Sequence, residues 1–143
     1  MRIARTAALA STLTAAFALS GCATYPAEDA AMASCPHVSR DWQAWINAMP
    51  GPDAKRTLHI TGSVDMPTPG YSVKLVGGPA DRMQPPGLRF QLEATPPDGM
   101  VTQVITPTEV NYSEPTPYPQ IREIMISCGE RPLATITEVP VAQ

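Results

Sequence analysis

Histidine is nearly missing from this chain: there are two in 143 residues, His37 and His59. With it goes most of the supply of side chains that exchange a proton near neutral pH. The chain also lacks a Gly-x-Ser-x-Gly elbow, a His-Glu-x-x-His pair, a phosphate-cradling glycine loop and the spaced aspartates of a calcium loop. Enzymatic activity is therefore not expected, and no cofactor is implied. Basic charge is scarce as well, with ten Lys and Arg of which only Lys55-Arg56 are adjacent. That excludes a phosphate-tracking surface, and so nucleic acid, and it excludes adhesion to anionic headgroups by charge. Long apolar runs are absent too. The most apolar stretch, Ala7 to Leu19, has thirteen residues diluted by Ser11, Thr12 and Thr14, against about twenty for a spanning helix.

What is present begins with that stretch. Met1 to Thr6 carries Arg2 and Arg5 and no acid, the apolar residues follow, and Leu19-Ser20-Gly21-Cys22 closes the segment. This is the tripartite plan of a secretory leader. Leu19-Ser20-Gly21-Cys22 resembles the lipobox of bacterial lipoproteins. The resemblance implies removal of residues 1–21, a diacylglyceryl group on the Cys22 thiol and acylation of the new amino terminus. Each buried methylene of such chains contributes about 0.8 kcal/mol, so two or three chains hold a domain on a bilayer. Ala23 stands after the cysteine in place of Asp, which by resemblance to Gram-negative lipoproteins implies the periplasmic face of the outer membrane. The alternative is an ordinary signal cleaved after Ala23, which would release a secreted periplasmic protein.

Residues 22–36, rich in Ala and without an apolar period, read as a lipidated tether, and residues 37–143 as one domain. Without the leader the chain has eight basic and thirteen acidic residues, a net charge of −5 (10 − 2 − 13). With Cys22 assigned to lipid, Cys35 and Cys128 remain as an even pair in an oxidising compartment and are expected to form a disulfide. Closing a loop of about 90 residues stabilises on the order of 4–5 kcal/mol in the chain-entropy account. A metal site or catalytic thiol at Cys35-Pro36-His37 is the competing reading. Only Cys128 and His59 could complete its ligand set, so no metal is expected.

All 17 prolines follow the leader. Proline removes a donor and sets φ, which disfavours long helices and suits short strands joined by rigid turns. One helix is expected over Ser39 to Met49, because Trp42, Trp45, Ile46 and Met49 recur at i, i+3, i+4 and i+7. From Thr57 the period becomes two. Leu58, Ile60 and Val64 alternate with polar residues, with a bulge expected at Gly62; Tyr71, Val73 and Leu75 follow the Met66 to Gly70 turn. Leu88, Phe90, Leu92 and Ala94 form the clearest half-buried strand, ended by Pro96-Pro97-Asp98-Gly99. Val101 to Thr106 and Glu109 to Tyr112 are shorter candidates separated by Pro107. Ile121 to Cys128 and Leu133 to Val139 read as a final hairpin. Six or seven short strands with one short N-terminal helix predict a mostly β domain, an Ig-like β-sandwich ahead of a small barrel.

Such a domain is expected to bind an envelope protein or to support the envelope structurally, through a sheet edge or through the proline-stiffened loops 66–70, 77–87 and 113–119. The loop Pro67-Thr68-Pro69-Gly70-Tyr71 is the candidate binding loop. It is similar to the Asn-Pro-Thr-Thr-Gly-Tyr loop of chagasin-like cysteine-protease inhibitors, and Arg131-Pro132-Leu133 resembles their late Arg-Pro-Trp loop. Met66, Pro69 and Leu133 depart from that pattern. The resemblance implies an Ig-like sandwich whose loop enters a protease cleft. A small hydrolase using His37 or His59 is the remaining alternative.

Overall fold

The computed structural model describes residues 35, 36, 38–52 and 54–143; the leader, Cys22 and His37 lie outside the described residues. Eight strands form two four-stranded sheets. They are β1 (Val38–Asn47), β2 (Thr57–Met66), β3 (Ser72–Gly77), β4 (Gly87–Thr95), β5 (Thr106–Pro115), β6 (Glu123–Cys128), β7 (Arg131–Ile136) and β8 (Val141–Ala142). One sheet has the order β5-β2-β1-β8 and the other β3-β4-β6-β7. The two sheets meet where β3 lies beside β5 and β1 beside β7. Most neighbours are antiparallel, while β4 with β6 and β1 with β8 are parallel.

The period-two pattern locates the core. Ile46, Ile60, Val64, Met66 and Val110 point inward from one sheet, and Phe90, Leu92, Ile124 and Ile126 from the other; all are buried. On β4 the inward set is Leu88, Phe90, Leu92 and Ala94, as the alternation requires. Burying a side chain of this size contributes roughly 1.5–3 kcal/mol, so these two inner faces supply most of the driving force for stacking the sheets.

No helix occurs among the described residues, and the segment expected to be helical is β1. Trp42, Trp45, Ile46 and Met49 match a helical face, but Trp42, Ala44 and Ile46 also alternate. Pairing with β2 decides between the two periods, because Ala44 opposite Ile60 and Ile46 opposite Leu58 are then buried together. Local periodicity yields to the ladder. Trp45 consequently faces outward and stacks on its cross-strand partner His59, with centroids 5.1 Å apart. The expected irregularity at Gly62 lies instead in the facing strand: β1 shifts register between Arg40 and Gln43, with Asp41 at φ 57°. Gly62 gives the space for it, since a methyl there would overlap the Trp42 indole.

Two further expectations change. Val101 to Ile105 is not a strand, and β5 runs through Pro107 without interruption. β5 is an edge strand, where a missing N–H costs no ladder bond on the open side. The last hairpin forms as β6 and β7, but β7 ends at Ile136 and the final residues return to β1 as β8.

Cys35 and Cys128 form a disulfide with Cα atoms 5.8 Å apart. It joins the segment before β1 to the end of β6, so it ties one sheet to the other. The Arg131 guanidinium reinforces the junction by donating to the Pro36 carbonyl. Strand direction then sorts the loops. The start of β1, the end of β2, and the starts of β3 and β5 share one end of the sandwich with the ends of β4 and β6. Loops 67–71, 96–105 and 129–130 close this first end. The far end is closed by residues 48–56, 78–86, 116–122 and 137–140.

Candidate functional site

The far end carries two grooves that share Pro115, Thr116 and Pro117. Three prolines at 115, 117 and 119 stiffen this connector after β5. Its position is set by two hydrogen bonds: Thr116 N donates to the Arg56 carbonyl at 2.8 Å, and Tyr118 N donates to Thr116 Oγ1 at 3.4 Å.

On one side lies a groove of about 560 Å³, lined by Gly77, Gly78, Phe90, Tyr112, Glu114 and Tyr118 among others. Phe90 is buried at its floor, and Tyr112 meets it edge to face, with centroids 4.9 Å apart and planes at 73°. Tyr112 Oη donates to Glu114 Oε2 at 3.2 Å. Burial, then the Glu114 carboxylate, raises the Tyr112 pKa above its ordinary value, so the phenol stays a donor at neutral pH. Gly77 keeps the aromatic pair uncovered: a Cβ there would sit 3.5 Å from Phe90 Cε1 and 3.8 Å from Tyr112 Oη.

The second groove, about 940 Å³, runs between the connector and the β1–β2 link. Exposed Met49, Pro50, Lys55 and Arg56 line it. Neither cation forms an ion pair among the described residues. The two grooves together therefore combine aromatic edges, one carboxylate, two free cations and a proline ridge. That chemistry suits an extended segment with apolar and acidic side chains. Neither groove is lined by histidine or cysteine.

Loop 78–86, which borders the first groove, is organised by Asp81. Its Oδ1 accepts from Gly87 N at 2.9 Å and Met83 N at 3.0 Å, and its Oδ2 accepts from Arg122 Nη2 at 2.6 Å. Arg122 also pairs with Glu123 at 2.8 Å, and its N–H donates to the Pro86 carbonyl. These bonds, the Gly87 amide foremost, hold the Asp81 carboxyl below the usual carboxylate range. The Gln84-Pro85 peptide in this loop is cis.

The sequence-derived candidate loop lies at the other end. Met66 and Thr68 are buried, Pro67 and Tyr71 are half-buried, and only Pro69 and Gly70 are exposed. Gly70 takes φ 87°, and a Cβ there would approach Pro97 Cβ to 3.1 Å, so this loop packs on the β4–β5 loop. Arg131-Pro132-Leu133 begins β7 at the same end. His59 stands apart from both grooves in the Trp45 stack. Among the described residues no three His, Cys, Asp or Glu side chains are grouped to hold a metal ion. Compared with known proteins, the chain matches no family model, no curated protein and no solved structure.

Loops 77–87 and 113–119 are visible in the sequence as proline-stiffened candidates. The aromatic floor is not: Phe90 and Tyr112 are 22 residues apart in the sequence (112 − 90), and only the stacking of β4 against β5 joins them.

Proposed function

We propose that this protein is a lipid-anchored binding module of the bacterial envelope. Cys22 carries the lipid at the periplasmic face of the outer membrane, and the grooves flanking Pro115 to Pro119 receive an envelope protein. One observation carries the reading: the disulfide fixes the segment following the tether at one end of the sandwich, and both grooves are at the other. An anchored domain thus presents its grooves away from the bilayer. The two stacked four-stranded sheets support an Ig-like frame, and the parallel pairing of β4 with β6 counts against it. A photo-crosslinking residue at Tyr118 in the full chain is expected to trap one reproducible envelope protein in cells, and the same residue at Ser72 is not. Equal labelling from both positions, or none from Tyr118 and Met49, overturns the assignment.

A second reading, chagasin-like inhibition of a cysteine protease, draws support from the placement of Pro67 to Tyr71 and Arg131 to Leu133 at one end. The burial of Thr68 weakens it, since little of that loop projects. Slowing of a papain-like protease by the full chain, abolished by Tyr71→Ala, is the required result. An unaffected protease removes this reading.

A further inference from the structure

Loop 99–105 presents an uncharged apolar surface at the end of the sandwich nearest the tether. Met100, Val101, Val104 and Ile105 are 104%, 39%, 54% and 61% exposed, and Val38, at the start of β1 on the same end, is 52% exposed. They account for five of the eight exposed large hydrophobic residues described. No charged residue occurs between Asp98 and Glu109. Gly99, at φ 86° with nothing within 4 Å of a would-be Cβ, turns the segment outward. Exposed apolar side chains concentrated at one end in this way point to a contact.

We propose that loop 99–105 is a second membrane contact, lying in the interface of the bilayer that holds the Cys22 lipid. This inference rests on the lipid-anchor reading. Cys22 precedes Cys35 by 13 residues, a reach of at most about 45 Å. The disulfide places Cys35 at the same end as the loop, so the tether keeps this end within reach of the membrane. The loop's composition suits an interface: its apolar side chains are interspersed with Thr102 and Gln103, which remain able to bond headgroups. Part of its backbone is already satisfied, with Val104 N donating to the Thr102 carbonyl at 3.0 Å and Thr106 Oγ1 to the Val104 carbonyl at 2.9 Å. Charge contributes little. Asp98, Glu109 and Glu130 flank the surface, Arg40 is paired with Asp65, and Arg131 donates to Pro36. Apolar insertion therefore drives the contact, and it does not require anionic lipid. The consequence is a fixed orientation, with the grooves held outward.

The test uses the full acylated chain in vesicles of zwitterionic phosphatidylcholine with brominated acyl chains. A nitrobenzoxadiazole label is placed by Val104→Cys, with Met83→Cys at the far end as reference. The Val104 label is expected to be quenched and blue-shifted, the Met83 label to stay aqueous, and added anionic lipid not to strengthen the docking. Val104→Asp with Ile105→Asp, followed through a label at Val101→Cys, should lower the docked fraction roughly tenfold or more while flotation and melting temperature hold. Aqueous behaviour at position 104 in protein that floats with the vesicles overturns the docking and leaves the anchor standing. Protein that does not float refutes both. Shielding of position 104 in native envelopes but not in protein-free vesicles assigns the surface to a protein partner and overturns the proposal.

Discussion

Asp81 shows how one side chain holds a loop that prolines alone do not position. Its carboxylate collects two backbone amides and a guanidinium, and Gly87 makes room for it: a Cβ at 87 would lie 2.8 Å from Asp81 Oδ2 and 3.0 Å from Arg122 Nη2. Because the folded state depresses the Asp81 pKa, it binds fewer protons than the unfolded chain around that pH. The stabilisation is complete above the ordinary carboxylate range and is lost as pH falls through the depressed value. Asp65, lowered by its bond to Arg40, acts in the same direction. The melting temperature of the wild type is therefore expected to drop as the pH is lowered from about 4, and Asp81→Asn should flatten that dependence while lowering stability at neutral pH. A variant whose acid profile parallels the wild type would show that Asp81 is not a principal source. The residue types were legible here, since Asp81 and Arg122 are visible in the sequence. Their pairing was not, because it spans 41 residues and depends on β4 lying beside β6.

Among the elements, β1 is the instructive case. Its sequence satisfies a helical period and a strand period at once, and the choice is made by β2, whose inward residues complete the faces of Ala44 and Ile46. The bulge at Arg40 to Gln43 then fits the indole of Trp42 over Gly62. Gly62→Ala is expected to destabilise the fold by about 1–3 kcal/mol, the ordinary cost of overpacking. The cost should shrink in a Trp42→Ala background, a coupling that a double-mutant denaturation cycle reads directly. Additive losses would mean that the indole and the glycine act independently. By contrast β4 was readable outright, because four inward apolar residues alternate between turn signals that admit no competing period. The Val101 to Ile105 segment has the composition of a strand but pairs with no strand of either sheet. Composition reports the propensity of a segment, and pairing decides whether that propensity is used.

For the molecule as a whole, the disulfide is the link that gives the two ends different roles. It closes 93 residues and ties the segment before β1 to the opposite sheet. Cys35→Ser with Cys128→Ser is expected to cost on the order of 2–5 kcal/mol of stability, measured by denaturant unfolding of oxidised wild type against the variant. A loss below about 1 kcal/mol would mean that the rest of the interface already restrains the β1 start. The arrangement also links the two functional proposals: an apolar end held against the bilayer leaves the proline-ridged grooves facing outward.

Much was set by composition and spacing alone. Scarce histidine and basic charge, dense proline, the period-two runs and the cysteine count each follow from local chemistry, and they point to a mostly β domain with one disulfide. Tertiary structure decided what depends on contacts between distant residues: β1 as a strand, β8 returning to pair with it, Phe90 meeting Tyr112, and loops 67–71 and 96–105 sharing an end. A residue's neighbours along the chain constrain its backbone, but the partner strand determines which face it buries, and that partner lies tens of residues away.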